Sequence, residues 1–210
     1  MTPNTPDNSA ARAGLSSEKS PCEERGQKIR LSGIAEESVV DGPGIRSVFF
    51  VQGCPHGCHG CHNPHTHAFD GGYEADVDDL AVLVKGNPLI SGVTFSGGEP
   101  LCQAVPLAVL ARKIKETGLE IALYTGYTWE GLLAENDKDR LELLRLCDVL
   151  IDGRFVEDKR DLALVFRGSS NQRILDVQRS FRSQSAVLVT DPAWLDDHPE
   201  ESQVGVYQTR

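Results

Sequence analysis

The chain has 210 residues, is 40% hydrophobic and carries a formal charge of −10. This suits one globular domain with flanking segments and argues against a general nucleic-acid binder, which presents a basic face to phosphate. No run approaches the roughly 18 apolar residues of a membrane span, and the opening lacks the apolar core of a secretory leader, so the sequence reads as cytoplasmic, with no membrane and no nucleic-acid partner.

Residues 1–27 are rich in Ser, Pro, Asn and Glu and poor in large apolar residues. They are expected to be a disordered N-terminal tail, in which Cys22 is inert. Residues 28–190 form the expected domain, and 191–210 a polar C-terminal tail with Trp194 and Leu195 as its only anchors. "IRSVFFVQG" (45–53) is β-branched and aromatic and predicts a buried strand running into a cysteine-rich loop. Asp76 is a good N-cap, and Val77, Leu80, Ala81 and Val84 follow at helical spacing, which predicts a helix over 76–85. "GVTFSGGEP" (92–100) predicts a strand with a glycine-rich exit, and 103–117 a helix closed by Gly118. A strand over 119–126, a helical stretch over 128–146 broken near Asp137, and a strand over 147–153 come next, with a final strand at Arg173–Val177. Alternation of this kind predicts an α/β fold of parallel strands with outer helices, a full or partial TIM-type barrel. Function is then expected at the carboxyl ends of the strands.

The densest chemistry is "CPHGCHGCHNP" (54–64), which holds Cys54, Cys58 and Cys61. In a reducing compartment such spacing marks metal ligands rather than disulfide partners. Two readings follow. A histidine completes a Cys3His zinc site, or three thiolates hold a [4Fe–4S] cluster whose fourth iron stays open to an outside ligand. His56, His59, His65 and His67 read as loop residues, and Cys102 and Cys147 as small apolar side chains in the core.

The C-x3-C-x2-C spacing, followed by "SGGEP" (96–100), resembles the radical S-adenosylmethionine superfamily. The resemblance implies an incomplete barrel, a [4Fe–4S] cluster on Cys54, Cys58 and Cys61, and S-adenosylmethionine on its open iron. One-electron cleavage of that cosubstrate then yields methionine and a 5′-deoxyadenosyl radical. It also implies that Gly97, Gly98 and Glu99 receive the cosubstrate's ammonium, since glycines allow close backbone approach and Glu99 adds an acceptor or orders the turn. The resemblance also places Gly60, Cys61 and His62 beside the cosubstrate; because Gly60 stands where the superfamily commonly has an aromatic residue, His62 and Asn63, just beyond Cys61, are expected to cover the adenine. Tyr124 and Thr125, at the next strand end, complete the expected cosubstrate set.

"DGPG" (41–44), "YTGYTWE" (124–130), "IDGRF" (151–155) and "FRGSSNQRI" (166–174) narrow the resemblance to glycyl-radical-enzyme activases. Within these, the sequence is most similar to the activating proteins of anaerobic ribonucleotide reductase. That family implies a protein substrate, a glycine loop of the large reductase subunit, and a flavodoxin or ferredoxin-type electron donor. Asp41, Arg167, Asn171 and Arg173 are the residues expected to meet the partner. Arg154, Lys159, Arg160, Arg167, Arg173, Arg179 and Arg182 make the C-terminal third basic within an acidic chain, which suits steering of an acidic partner or simply a solvated face. Two alternatives stand beside this reading: an activase of pyruvate formate-lyase, and a non-enzymatic iron–sulfur or zinc module.

Overall fold

The computed structural model describes residues 28–195, so the expectations for 1–27, for Cys22 and for 196–210 lie outside the described residues. Strands β1 (Lys28–Ser38), β2 (Arg46–Val51), β3 (Tyr73–Asp76), β4 (Gly92–Gly97), β5 (Glu120–Tyr124), β6 (Val149–Asp152) and β7 (Arg173–Asp176) form one sheet in the order β3-β1-β2-β4-β5-β6-β7. Helices α1 (Val77–Gly86), α2 (Ala104–Lys115), α3 (Trp129–Glu135), α4 (Lys138–Leu146) and α5 (Val177–Ser183) accompany it.

The α/β class and the elements expected from periodicity are present. Asp76 caps α1 by accepting from the amide of Asp78, and Val77, Leu80, Ala81 and Val84 are its buried stripe. The break expected near Asp137 separates α3 from α4. Asn136 ends α3 in the left-handed region at φ 52°, and the Asp137 carboxylate accepts from the amides of Asp139 and Arg140, so stop and start signals sit side by side.

The expectation of an all-parallel sheet needs correction. Strands β2, β4, β5 and β6 are parallel, whereas β1 runs antiparallel to β2, β3 to β1 and β7 to β6. Loop length explains the first reversal. Residues 39–45 join β1 to β2, and a parallel crossover needs about a dozen residues or more. The "DGPG" turn is therefore a hairpin connection, and the sheet is mixed.

Side-chain alternation divides the sheet into two faces. Phe49, Phe95, Leu123, Leu150 and Leu175 pack with the helices in the larger core. Ala122, Val149, Ile151 and Ile174 point the other way and form a second core with Val189 and Trp194, joined by Tyr124 and Phe166. No helix among the described residues is long and apolar enough to cross a membrane.

Candidate functional site

A cavity of about 390 Å³ opens where β2, β4, β5 and β6 end. Cys54, Cys58 and Cys61, all free thiols of intermediate exposure, line it after β2. The loop that carries them is pinned at its root: the amides of Gly53 and Cys54 donate to Thr66 O (2.8 Å) and His67 O (3.1 Å), and the Gln52 side chain donates to His65 O and Ala68 O. Burial pushes the Cys54 thiol up, against the lowering effect of the His56 amide, and the charges of Glu99, Cys58 and Cys61 push it further. The three sulfurs thus feel one another, yet among the described residues no three His, Cys, Asp or Glu side chains surround a single point as a metal ion requires. Three thiols lining one cavity match the ligand set of a [4Fe–4S] cluster with one open iron.

Gly97 and Gly98 line the same cavity after β4. Gly97 has φ 96°, and a Cβ on Gly98 would lie 2.4 Å from Gly53 O. Gly98 N donates to Val51 O and Glu99 N to Gly53 O, each at 2.8 Å, so this turn and the root of the cysteine loop interlock through backbone. Glu99 is fully buried and absent from the cavity lining. Its carboxylate accepts from Leu101 N (3.0 Å), Thr125 Oγ1 (2.9 Å), Gly126 N (2.9 Å) and His56 Nε2 (2.7 Å). Of the two roles expected for Glu99, ordering the turn is the one its geometry matches; an acceptor aimed at a ligand is not.

His56 was read as a loop residue, and the structure gives it a fixed place. Its ring meets Tyr127 edge-on at 4.7 Å and fills the space where a Cβ on Gly126 would stand. Gly60 lies off the cavity at φ 68°, with the Glu157 carboxylate 2.9 Å from where its Cβ would be; Glu157 also pairs with His59. His62 and Asn63 do line the cavity, as does His67, whose Nε2 is buried without a protein partner.

Tyr124 and Thr125 reach the cavity with their hydroxyls already engaged. Tyr124 Oη donates to Phe166 O at 2.8 Å, and burial holds that hydroxyl above its ordinary range. Thr125 donates to Glu99. Phe155, Leu164, Phe166 and Arg167 form a further wall, and Asp41 stands on the rim, held by Ser38 Oγ at 2.6 Å. Arg167 donates from Nη1 to Gln172 O (3.1 Å) and keeps a buried Nε without a protein partner.

Asn171 and Arg173 are not brought to this cavity. Asn171 donates to Arg154 O. Arg173 spends its guanidinium on Asp152 and Glu130, and both residues border a separate hollow. The side chains of Asn171 and Arg173, expected to meet the partner, are engaged by tertiary neighbours instead.

Three thiols, a pair of tightly packed glycines and an aromatic wall around one cavity are the makings of an iron–sulfur protein. The family described as a 4Fe–4S single cluster domain matches residues 40–175. The chain is 39% identical over 142 residues to the anaerobic ribonucleoside-triphosphate reductase-activating protein of Salmonella typhi, covering 64% of this chain and 90% of that protein. Over 144 residues it is 39% identical to the protein of the same name from Vibrio cholerae, covering 65% and 90%. It is also 38% identical over 128 residues to a pyruvate formate-lyase-activating enzyme of Clostridium pasteurianum, covering 57% of this chain and 54% of that enzyme. The chain belongs to the 4Fe–4S single cluster domain family and, within it, to the family of anaerobic ribonucleoside-triphosphate reductase-activating proteins.

Proposed function

We infer that this protein activates an anaerobic ribonucleoside-triphosphate reductase by generating a glycyl radical on its large subunit, a radical S-adenosylmethionine oxidoreductase of the cytoplasm. A [4Fe–4S] cluster, when bound, supplies the electron that cleaves S-adenosylmethionine to methionine and a 5′-deoxyadenosyl radical. Cys54, Cys58 and Cys61 would hold it through their thiolates. The turn at Gly97 and Gly98 lets backbone carbonyls approach the cosubstrate's ammonium. Glu99 supports that turn from behind. His62 and Asn63 flank the adenine, and Phe155, Leu164 and Phe166 keep water from the reacting carbon.

Asp41 and Arg167, on the rim and wall, receive the reductase's glycine loop, which brings the target hydrogen into contact. The sheet serves as an incomplete barrel, open where that loop enters. A flavodoxin or ferredoxin-type protein would reduce the cluster beforehand.

The observation that carries this reading is that the thiols, the glycine turn and the end of β5 share one cavity of about 390 Å³. The test is anaerobic. Reconstituted, reduced protein is mixed with S-adenosylmethionine and, separately, with anaerobic ribonucleotide reductase or pyruvate formate-lyase. A glycyl doublet in the electron paramagnetic resonance spectrum is expected on the reductase and not on the lyase. The Clostridium relative favours the lyase as the second reading, and a doublet on the lyase alone would establish it. Absence of 5′-deoxyadenosine with either enzyme would leave a non-enzymatic iron–sulfur module.

A further inference from the structure

The family match ends at residue 175, but the second core of the sheet is completed by residues beyond it. Val187 O accepts from Asp176 N (2.9 Å) and Val189 N donates to Ile174 O (3.0 Å), so 187–189 run along the free edge of β7, with Leu188 bridged to Leu175. Asp191 then caps a 3-10 turn, Pro192–Trp194, through the amide of Ala193. This turn delivers Trp194, only 1% exposed, onto Ala122, Val149, Ile151 and Ile174.

There the indole Nε1 of Trp194 donates to Glu120 Oε2 at 3.5 Å, and two further groups meet its ring. The Arg46 guanidinium lies 5.3 Å from its ring centroid, and the Phe166 ring stands edge-on to it at 5.4 Å and 73°. Phe166 has φ 51°, a left-handed conformation that a bulky residue keeps only where its surroundings hold it. Its holders are the hydroxyl of Tyr124 on its carbonyl and Trp194 on its ring. Phe166 lines the cavity, as do Leu164, Arg167 and Gly168 around it.

We propose that Trp194 is a positioning residue: by its edge-on contact with Phe166 it fixes the segment Leu164–Gly168 as a wall of the cavity that the cysteine loop also lines. The C-terminal segment therefore supports the site without lining the cavity itself. The transfer step through which this acts rests on the proposed function above; the placement of the wall does not.

Two measurements on the full chain separate these. Native trypsin digestion, mapped by mass spectrometry, tracks the population of locally opened states. Cleavage after Arg167 is expected to rise about tenfold in Trp194→Ala and to return near wild type in Trp194→Phe, while cleavage after Arg112 in α2 stays unchanged. A parallel rise at both sites, or no rise at Arg167, would overturn the proposal. If Trp194→Ala does not fold, Phe166→Gly replaces it, since glycine keeps the left-handed backbone and removes the ring; the same selective cut is expected, and its absence counts against the proposal. With the reductase present, Trp194→Ala is expected to form several-fold fewer glycyl radicals per 5′-deoxyadenosine, restored by Trp194→Phe, because a displaced wall misplaces the target. A proportional fall in both products would assign Trp194 to stability alone. If the wild-type protein forms neither product, the proposed function fails while the proteolysis result stands on its own.

Discussion

His56 Nε2 lies 2.7 Å from Glu99 Oε2, with the two side chains 4% and 0% exposed. The pair fastens the loop after β2 to the end of β4, and the other bonds of Glu99, to Thr125 and Gly126, extend the link to the end of β5. Three strand ends thus share one carboxylate. Removing it as Glu99→Ala leaves Leu101 N, Gly126 N, Thr125 Oγ1 and His56 without their acceptor. A buried group stripped of its partner costs about 1–3 kcal/mol, so Glu99→Ala is expected to destabilise by at least about 3 kcal/mol in urea titration. His56→Ala removes one donor to that carboxylate together with the ring that meets Tyr127, and is expected to cost less than Glu99→Ala, about 1–3 kcal/mol. An effect of His56→Ala equal to that of Glu99→Ala would mean that the strand-end bonds contribute nothing.

Gly98→Val tests how the glycine turn and the cysteine loop interlock. As a ligand-facing turn alone, Gly98 would tolerate the change with loss of cosubstrate affinity and intact iron. The close approach of Gly98 to Gly53 O, one residue ahead of Cys54, predicts more: a Cβ there displaces the loop root, and overpacking of this kind typically costs about 1–3 kcal/mol. Iron content after reconstitution is expected to fall together with S-adenosylmethionine binding. Full iron with only weakened binding would show that the loop yields without moving its thiols.

Arg173 is expected to matter for stability and not for the partner. Its guanidinium covers Asp152, 1% exposed, which also accepts from Trp129 N. Removing one partner of a buried pair costs about 3–5 kcal/mol, and because the Arg173 side chain is 34% exposed the expected cost of Arg173→Ala is nearer about 2–3 kcal/mol. Glu130 adds little, its side chain being 60% exposed, but its sign is defined. Arg173 holds the Glu130 carboxyl below its usual range, so this contribution is full above the ordinary carboxylate pKa and is lost as pH falls through the lower folded value. Thermal unfolding of Arg173→Ala is expected well below wild type at pH 7, with the gap narrowing on acidification. An unchanged melting temperature with a lost reductase interaction would restore Arg173 to the interface.

Much of this was legible where one residue type at one spacing does the work. The thiols at Cys54, Cys58 and Cys61, the glycine turn at the end of a β-branched strand, and the break at Asn136 and Asp137 are local signals. β1 was not legible, because Gly33 and charged positions interrupt its alternation and only Ile29, Leu31 and Ser38 in it are buried; β3 is a four-residue strand with no buried position. His56 and Glu99 are 43 positions apart, and no local pattern announces such a pair. Arg173 and Asn171 looked available as donors because their acceptors, Asp152, Glu130 and Arg154 O, are supplied only by the fold. Trp194 was legible as an anchor of its polar stretch, though not as the residue that completes a core, while Leu195, read beside it, is 52% exposed.

The proposed function requires the strand-end cavity to hold a cluster and its cosubstrate in contact. The most direct measurement is the electron paramagnetic resonance spectrum of the reduced, reconstituted protein with and without S-adenosylmethionine. The predicted result is a cluster signal in the wild type that changes shape when S-adenosylmethionine is added, and that is lost in Cys58→Ala but kept in Cys147→Ala. A wild-type signal identical with and without saturating S-adenosylmethionine, or a full signal in Cys58→Ala, would contradict it.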